Sequence, residues 1–172
     1  MTIRPATVHD AAALAAIYND AVRHTTAIWN DAEVDAANRL AWLDLRRSAG
    51  YPVLVADDAA AGVVGYASFG DFRAFDGYRH TVEHSIYVRA DRRRGGVATA
   101  LMQALIAHAR GAGKHVMVGA IETGNTASIA LHRRLGFEEA GCMRQVGTKF
   151  GRWLDLTWMQ LLLDDAPPPE KL

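Results

Sequence analysis

Three groups of residues in this sequence have types and spacings that could do chemistry. The first is Arg89-Ala90-Asp91-Arg92-Arg93-Arg94-Gly95-Gly96-Val97-Ala98-Thr99, which follows the strand-like Ser85-Ile86-Tyr87-Val88 and precedes a helix-forming run. A strand that delivers a basic, glycine-containing turn onto the first turn of a helix gathers unpaired backbone N–H groups and the positive dipole end at one point. That is an anion site. Glycine lets a phosphate approach the backbone, and the arginines add local charge. The second is Glu83 within Thr81 to Val88, a carboxylate of the type that can serve as a general base. The third is Asn125-Thr126-Ala127-Ser128-Ile129-Ala130-Leu131-His132-Arg133-Arg134-Leu135-Gly136-Phe137. Its asparagine suits a helix N-cap and its glycine the C-terminal stop.

Several other chemistries lose support. There is no Gly-x-x-x-x-Gly-Lys-Ser/Thr and no Gly-x-Gly-x-x-Gly, so nucleotide hydrolysis and hydride transfer are disfavoured. Glu83, His84 and Ser85 are neighbours on one strand and cannot converge as a triad, and no Gly-x-Ser-x-Gly elbow exists. His80 and His84 lack the zinc-protease helix pattern, and the single cysteine, Cys142, leaves no thiolate ligand set, so no metal is expected.

The elements that must position these residues follow from periodicity and punctuation. A strand at Thr2 to Pro5 leads to a helix announced by Thr7 and Asp10, with Leu14, Ile17, Tyr18, Ala21 and Val22 at helical spacing. A second helix runs from about Ala36 to Ser48 and ends before Gly50. Tyr51 to Ala56 and Val63 to Phe69 flank a turn and read as a hairpin. A polar and aromatic loop, Asp71 to Arg79, then leads into a strand at Thr81 to Val88. On a regular strand Thr81, Glu83, Ser85 and Tyr87 share one face, and Val82, His84, Ile86 and Val88 the other. Further expected elements are a helix from Val97 to Ala112, a strand from His115 to Ile121, a helix from Asn125 to Leu135, and strands at Glu138 to Lys149 and Trp153 to Leu163. This is a mixed α/β pattern with helices on both faces of a sheet.

The whole chain has 172 residues, 50% hydrophobic and 22% charged, with nineteen Lys plus Arg against nineteen Asp plus Glu. Residues 1–163 are expected to form one domain and 164–172, with three prolines, a solvated tail. A formal charge of zero gives no global attraction to nucleic acid or to an anionic membrane, and no apolar run reaches the roughly 18 residues of a membrane helix. The start, Met1-Thr2-Ile3-Arg4-Pro5, does not read as a secretory signal, and the lone cysteine fits a reducing cytoplasm.

Arg93-Arg94-Gly95-Gly96-Val97-Ala98 is similar to the Arg-x-x-Gly-x-Ala pyrophosphate turn of the GNAT superfamily of N-acetyltransferases. The Asn125 to Phe137 segment resembles that superfamily's pantetheine-side helix. Ile17-Tyr18-Asn19-Asp20-Ala21-Val22, His80 to Val88 and Gly147-Thr148-Lys149-Phe150-Gly151-Arg152-Trp153-Leu154-Asp155 resemble the phosphinothricin N-acetyltransferase branch, above all its members that act on methionine sulfoximine and methionine sulfone. The resemblance implies an α/β (α+β) GNAT fold, with a mostly antiparallel sheet splayed at the acetyl-CoA site and a bulge in the Glu83 strand. It implies acetyl-CoA held by Ile86, Tyr87, Val88, Arg93, Arg94, Gly95, Gly96, Val97, Ala98, Thr99, Asn125 and Ser128. A small amino-acid analogue would meet Arg73, Ala74, Phe75, Glu83, His84 and Ser85, with Glu83 as general base. His132 stands where many superfamily members carry a tyrosine acid. Arg73 is the first candidate for the substrate carboxylate, with Lys149 and Arg152 behind it; Phe75, Tyr78 and Trp29 are candidate pocket walls. A homodimer is also implied. The alternatives are an acetyltransferase for peptide N-termini or antibiotic amines, a CoA sensor, and a nucleic-acid-binding protein.

Overall fold

The computed structural model describes residues 1–169. The chain builds β1 (Thr2–Pro5), a 3-10 turn, α1 (Ala11–His24), α2 (Ala36–Ser48), β2 (Val53–Asp58), β3 (Gly62–Asp71), β4 (Thr81–Val88), α3 (Val97–Gly111), β5 (Val116–Glu122), α4 (Thr126–Arg134), β6 (Glu138–Lys149) and β7 (Arg152–Leu162). Local chemistry sets these limits. The Asp35 side chain accepts the Asn38 N–H at 2.8 Å to start α2, and Gly50, with φ of +73°, takes the left-handed step that ends it. Asn125 accepts the Ser128 N–H at 3.1 Å and starts α4 in the same way.

The strands form one seven-stranded sheet in the order β1-β2-β3-β4-β5-β7-β6, antiparallel except for the β4–β5 pair. On one face Leu101, Met102 and Leu105 of α3 and Ile129 of α4 pack with Phe69, Val82, Met117 and Met159. On the other, Leu14 and Ile17 of α1 and Leu43 of α2 cover Val53, Val55 and Tyr66. Each such fully buried side chain contributes about 1.5–3 kcal/mol relative to exposure, so both faces are firmly clad.

The sheet opens in its middle. β4 and β5 pair only at Thr81↔Val116, Val82↔Met117 and Glu83↔Val118, whereas β5 stays with β7 from Val116↔Leu162 to Glu122↔Leu156. Beyond Glu83 the two halves part. The expected splay is present and the expected bulge is not: the β3–β4 ladder runs from Gly65↔Val88 to Asp71↔Val82 without a register shift. β4 therefore keeps simple alternation, and the opening arises because β5 follows β7. Residues 164–169 are exposed and without regular structure, although Asp164 meets His115 at 2.6 Å; the rest of the predicted 164–172 tail lies outside the described residues.

Candidate active site

A cavity of about 610 Å³ occupies the splay. Its walls are the end of β4 (Ile86, Tyr87, Val88), the turn and first residues of α3 (Arg93, Arg94, Gly96, Val97, Ala98, Thr99), and Asn125 and Ser128 of α4. Eleven of the twelve expected cofactor residues thus converge, and Gly95 sits within the same turn. The turn is sharp: Arg94 has φ of 65° and Gly96 φ of 80°. The first intrahelical bond is Ala100 N–H to Gly96 O at 3.0 Å, so the N–H groups of Val97, Ala98 and Thr99 have no partner within the helix. A small anion or diphosphate fits this cradle. The arginines are unequal. Arg89 is held by Asp91 at 2.7 Å, and Arg93 reaches the Val88 carbonyl at 3.3 Å and Asp20 at 3.7 Å. Arg94 makes no hydrogen bond or ion pair among the described residues. Arg134, from α4, also lines the cavity and was not anticipated; its place at the last turn of the Asn125 helix was the available signal.

Glu83 lies at the last paired position of β4 and β5. Its side chain is half-buried, and among the described residues it makes no hydrogen bond and no ion pair within 4.0 Å. Burial raises its pKa above the ordinary glutamate value, opposed by the charges of Arg73 and Arg46. A structural salt bridge, the plain alternative for such a residue, is therefore not what holds it. An unengaged carboxylate with raised basicity at the mouth of the splay can act as a base.

On the opposite face of β4, His84 stacks on His132 with ring centroids 4.9 Å apart and an interplanar angle of 16°. His132 Nδ1 is 2.7 Å from the Ser128 carbonyl, which only accepts, so Nδ1 carries the proton. His132 Nε2 must then accept from His84 Nε2–H across 3.0 Å, which leaves His84 Nδ1 bare, buried and without a partner. Gly119 makes room for the pair: a Cβ there would stand 2.6 Å from His84 Nε2. Burial lowers the pKa of both rings, and His132 lowers that of His84 further. His84, expected near substrate, is thus a core residue through its side chain. Delivery of a proton by His132 calls for an imidazolium, which burial disfavours, and its Nδ1–H is engaged by the Ser128 carbonyl.

The remaining candidates are dispersed. Arg73, Ala74 and Phe75 lie on the exposed loop between β3 and β4, with Phe75 78% exposed. Arg73 stacks on Phe72 at 4.3 Å. Ser85 is half-buried on the Glu83 face of β4. Lys149 turns inward to the Ile28 carbonyl, Arg152 is exposed, and Trp29 donates to the Thr26 carbonyl at 2.9 Å while packing on Gly147. Tyr78 leans on Phe72.

The profile of the Acetyltransferase (GNAT) family matches residues 14–137. The chain belongs to this GNAT family. It is 64% identical over 163 residues to the L-methionine sulfoximine/L-methionine sulfone acetyltransferase of Pseudomonas aeruginosa, covering 95% of each chain. The GNAT fold is matched as well: an acetyltransferase of Salmonella typhimurium solved with its cofactor acetyl-CoA superposes with a TM-score of 0.96 at 56% identity, covering 100% of this chain and 99% of that one. A ribosomal-protein-alanine N-acetyltransferase from Brucella melitensis superposes at 0.92 with 54% identity, over 94% of this chain and 99% of its own.

Proposed function

We propose that this GNAT protein transfers acetyl from acetyl-CoA to the α-amine of a small amino-acid analogue such as methionine sulfoximine, methionine sulfone or phosphinothricin. The observation that carries the reading is Glu83: a half-buried, unengaged carboxylate where the sheet opens, beside a cavity that ends in an anion cradle. The 64% identity to a protein named for the sulfoximine and the sulfone sets the acceptor class. Acetyl-CoA supplies the activated acyl group as a thioester. The unpaired N–H groups of Val97, Ala98 and Thr99, with Arg94, suit its diphosphate, and Ile86 to Val88 with Asn125 and Ser128 suit the arm that leads to the thioester.

The free α-amine is largely protonated at neutral pH and must lose a proton to attack a carbonyl. Glu83 takes that proton, directly or through water. Backbone N–H groups of β4 that point into the gap left by β5 are placed to stabilise the oxyanion. The thiolate of CoA leaves as the tetrahedral intermediate collapses and takes up, through water, the second proton that the attacking nitrogen loses. We further propose that residues 1–163 act as one catalytic domain, in the cytoplasm, as a homodimer and without a metal. The exposed thiol of Cys142 and the exposed apolar residues of β6 and β7 support the compartment and the dimer.

A screen of free amino-acid analogues against Ala-initiated peptides, read by thiol release with acetyl-CoA, tests the reading. Methionine sulfone and sulfoximine should be acetylated, with peptides slower by orders of magnitude. The Brucella structure keeps the peptide N-terminus as the second reading, and preferential peptide turnover would install it.

A further inference from the structure

The mechanism above makes no use of the half-buried guanidinium of Arg46 in the last turn of α2. Its Nη1 donates to the Phe69 carbonyl at 3.1 Å, and Cζ lies 5.6 Å from the Trp42 ring centroid. The side chain runs over Gly70, where any Cβ would collide with Nη1. Gly70 is the residue directly opposite Glu83 in the β3–β4 ladder. Opposite residues of an antiparallel pair share a face, with Cβ positions about 4.5–5.5 Å apart. The guanidinium therefore stands where the cross-strand neighbour of Glu83 would have its side chain. A glycine inside a strand weakens it and marks a close approach, and here the approaching group is a cation.

That cation makes no ion pair within 4.0 Å among the described residues, although Glu83 and Asp71 stand near enough to act on its charge. Glu83 does not come within ion-pair distance, and the nearby Asp71 is engaged by the Tyr51 hydroxyl. Of the five N–H donors of a guanidinium, the protein uses only the one to Phe69 among the described residues. Burial is the largest influence on Arg46 and lowers its pKa, which records the cost of holding the charge out of water. Two turns earlier on α2, Arg39 is 9% exposed, rests on Tyr18 at 4.6 Å and Trp42 at 5.2 Å, and hydrogen-bonds Asn38. With Arg73 in the loop, two guanidinium groups, Arg46 and Arg73, act on the carboxylate of Glu83 without pairing with it. Such a site favours an acceptor that brings negative charge.

We propose that Arg46 binds the α-carboxylate of the acceptor and is a specificity-determining residue that restricts the enzyme to amino acids rather than simple amines. An α-amino acid carries both groups on one carbon, so a carboxylate fixed across the ladder from Glu83 puts the amine at Glu83. Arg46 is better suited than the exposed Arg73, because its fork is already desolvated and held by Trp42 and Phe69. The inference rests on the substrate reading above, and it goes further in naming the recognition group.

The test compares methionine sulfone with its carboxyl-free counterpart, 3-(methylsulfonyl)propan-1-amine, by turnover and by titration calorimetry on the CoA-loaded protein. Arg46→Met, which keeps the contact with Trp42, should raise KM and Kd for methionine sulfone about 10- to 100-fold, the worth of one charge-assisted contact. Affinity for the amine and KM for acetyl-CoA should stay within about 2-fold, and Arg46→Lys should recover part of the loss. Gly70→Ala keeps the charge but displaces the guanidinium, and should show the same selective loss. Melting temperature and circular dichroism confirm that each variant is folded. If acid and amine weaken equally, or the acid is unaffected, Arg46 does not bind the carboxylate. If the wild-type protein neither binds nor acetylates methionine sulfone, the substrate reading itself falls.

Discussion

Burial decides which protonation states are available around the splay, and the two faces of β4 use it in opposite directions. At Glu83 burial raises the pKa, which makes the carboxylate a stronger base but empties it of charge as pH falls. Activity should therefore rise with pH through an acid limb above the ordinary glutamate value of about 4.3. Glu83→Gln should lower kcat about 10²- to 10⁴-fold, remove that limb and leave acetyl-CoA affinity nearly unchanged. Unaltered turnover at saturating substrate would take Glu83 out of the mechanism. At His84 and His132 burial lowers the pKa instead. The unfolded chain binds protons on these histidines near pH 6.5 while the folded chain resists them, so stability is full above that pH and is lost progressively below it. Asp10 has its pKa held down to about 2 by Arg4, so its own contribution is lost only in a more acidic window. Thermal melts between pH 7.5 and 5 should show a falling melting temperature, and His84→Gln should flatten that slope. A slope unchanged in the variant would assign the effect elsewhere.

At the scale of elements, what positions the anion cradle is how closely α3 approaches β3. A Cβ on Gly65 would lie 3.0 Å from the Tyr87 carbonyl and 3.2 Å from both Val97 and Leu101. Backbone and two core side chains cannot all yield, so Gly65→Ala should destabilise by about 1–3 kcal/mol. It should also raise KM for acetyl-CoA, because Val97 opens the helix whose free N–H groups form the cradle. An unchanged KM with a lowered melting temperature would separate packing from binding. Local signals made these elements legible: β4 and α2 have the limits that their caps, alternation and glycines indicate, and Asn125 opens α4 as its type suggests. The pairing was less legible. The position of β5 between β4 and β7, and a splay made without a register shift in β4, depend on contacts far apart in sequence. Site residues divide the same way. Those in the Arg93–Thr99 turn and the Asn125 helix are placed by their own segments, whereas Arg46 acquires meaning only when α2 docks over Gly70. Lys149, a lesser candidate for the substrate carboxylate by sequence, is turned by its neighbours onto the Ile28 carbonyl.

For the whole molecule, the open question of partners is posed by the end of the sheet. β6 is an edge strand, and Glu138 to Val146 are exposed throughout. The β6–β7 ribbon carries Trp153 at 66%, Phe150 at 56%, Met143 at 47% and Val146 at 44% exposure. Apolar groups so concentrated on an edge strand invite association. The edge is not left wholly open, because the ladder slips between Met143 and Gly147 and Asp155 accepts the Gln145 N–H at 2.7 Å. Such an interruption opposes endless strand addition while leaving side chains for a closed, two-fold contact. The zero net charge offers no repulsion between copies. The proposed homodimer therefore should form through this ribbon, and sedimentation equilibrium should give twice the chain mass at micromolar concentration. Trp153→Glu, which adds a charge at the centre of the patch, should yield monomers with an unchanged far-ultraviolet spectrum. If catalysis also falls in that monomer while acetyl-CoA still binds, the acceptor side is completed by the partner, and Phe75 on its exposed loop is the group to vary next. A Trp153→Glu protein that remains dimeric would move the contact away from β6 and β7.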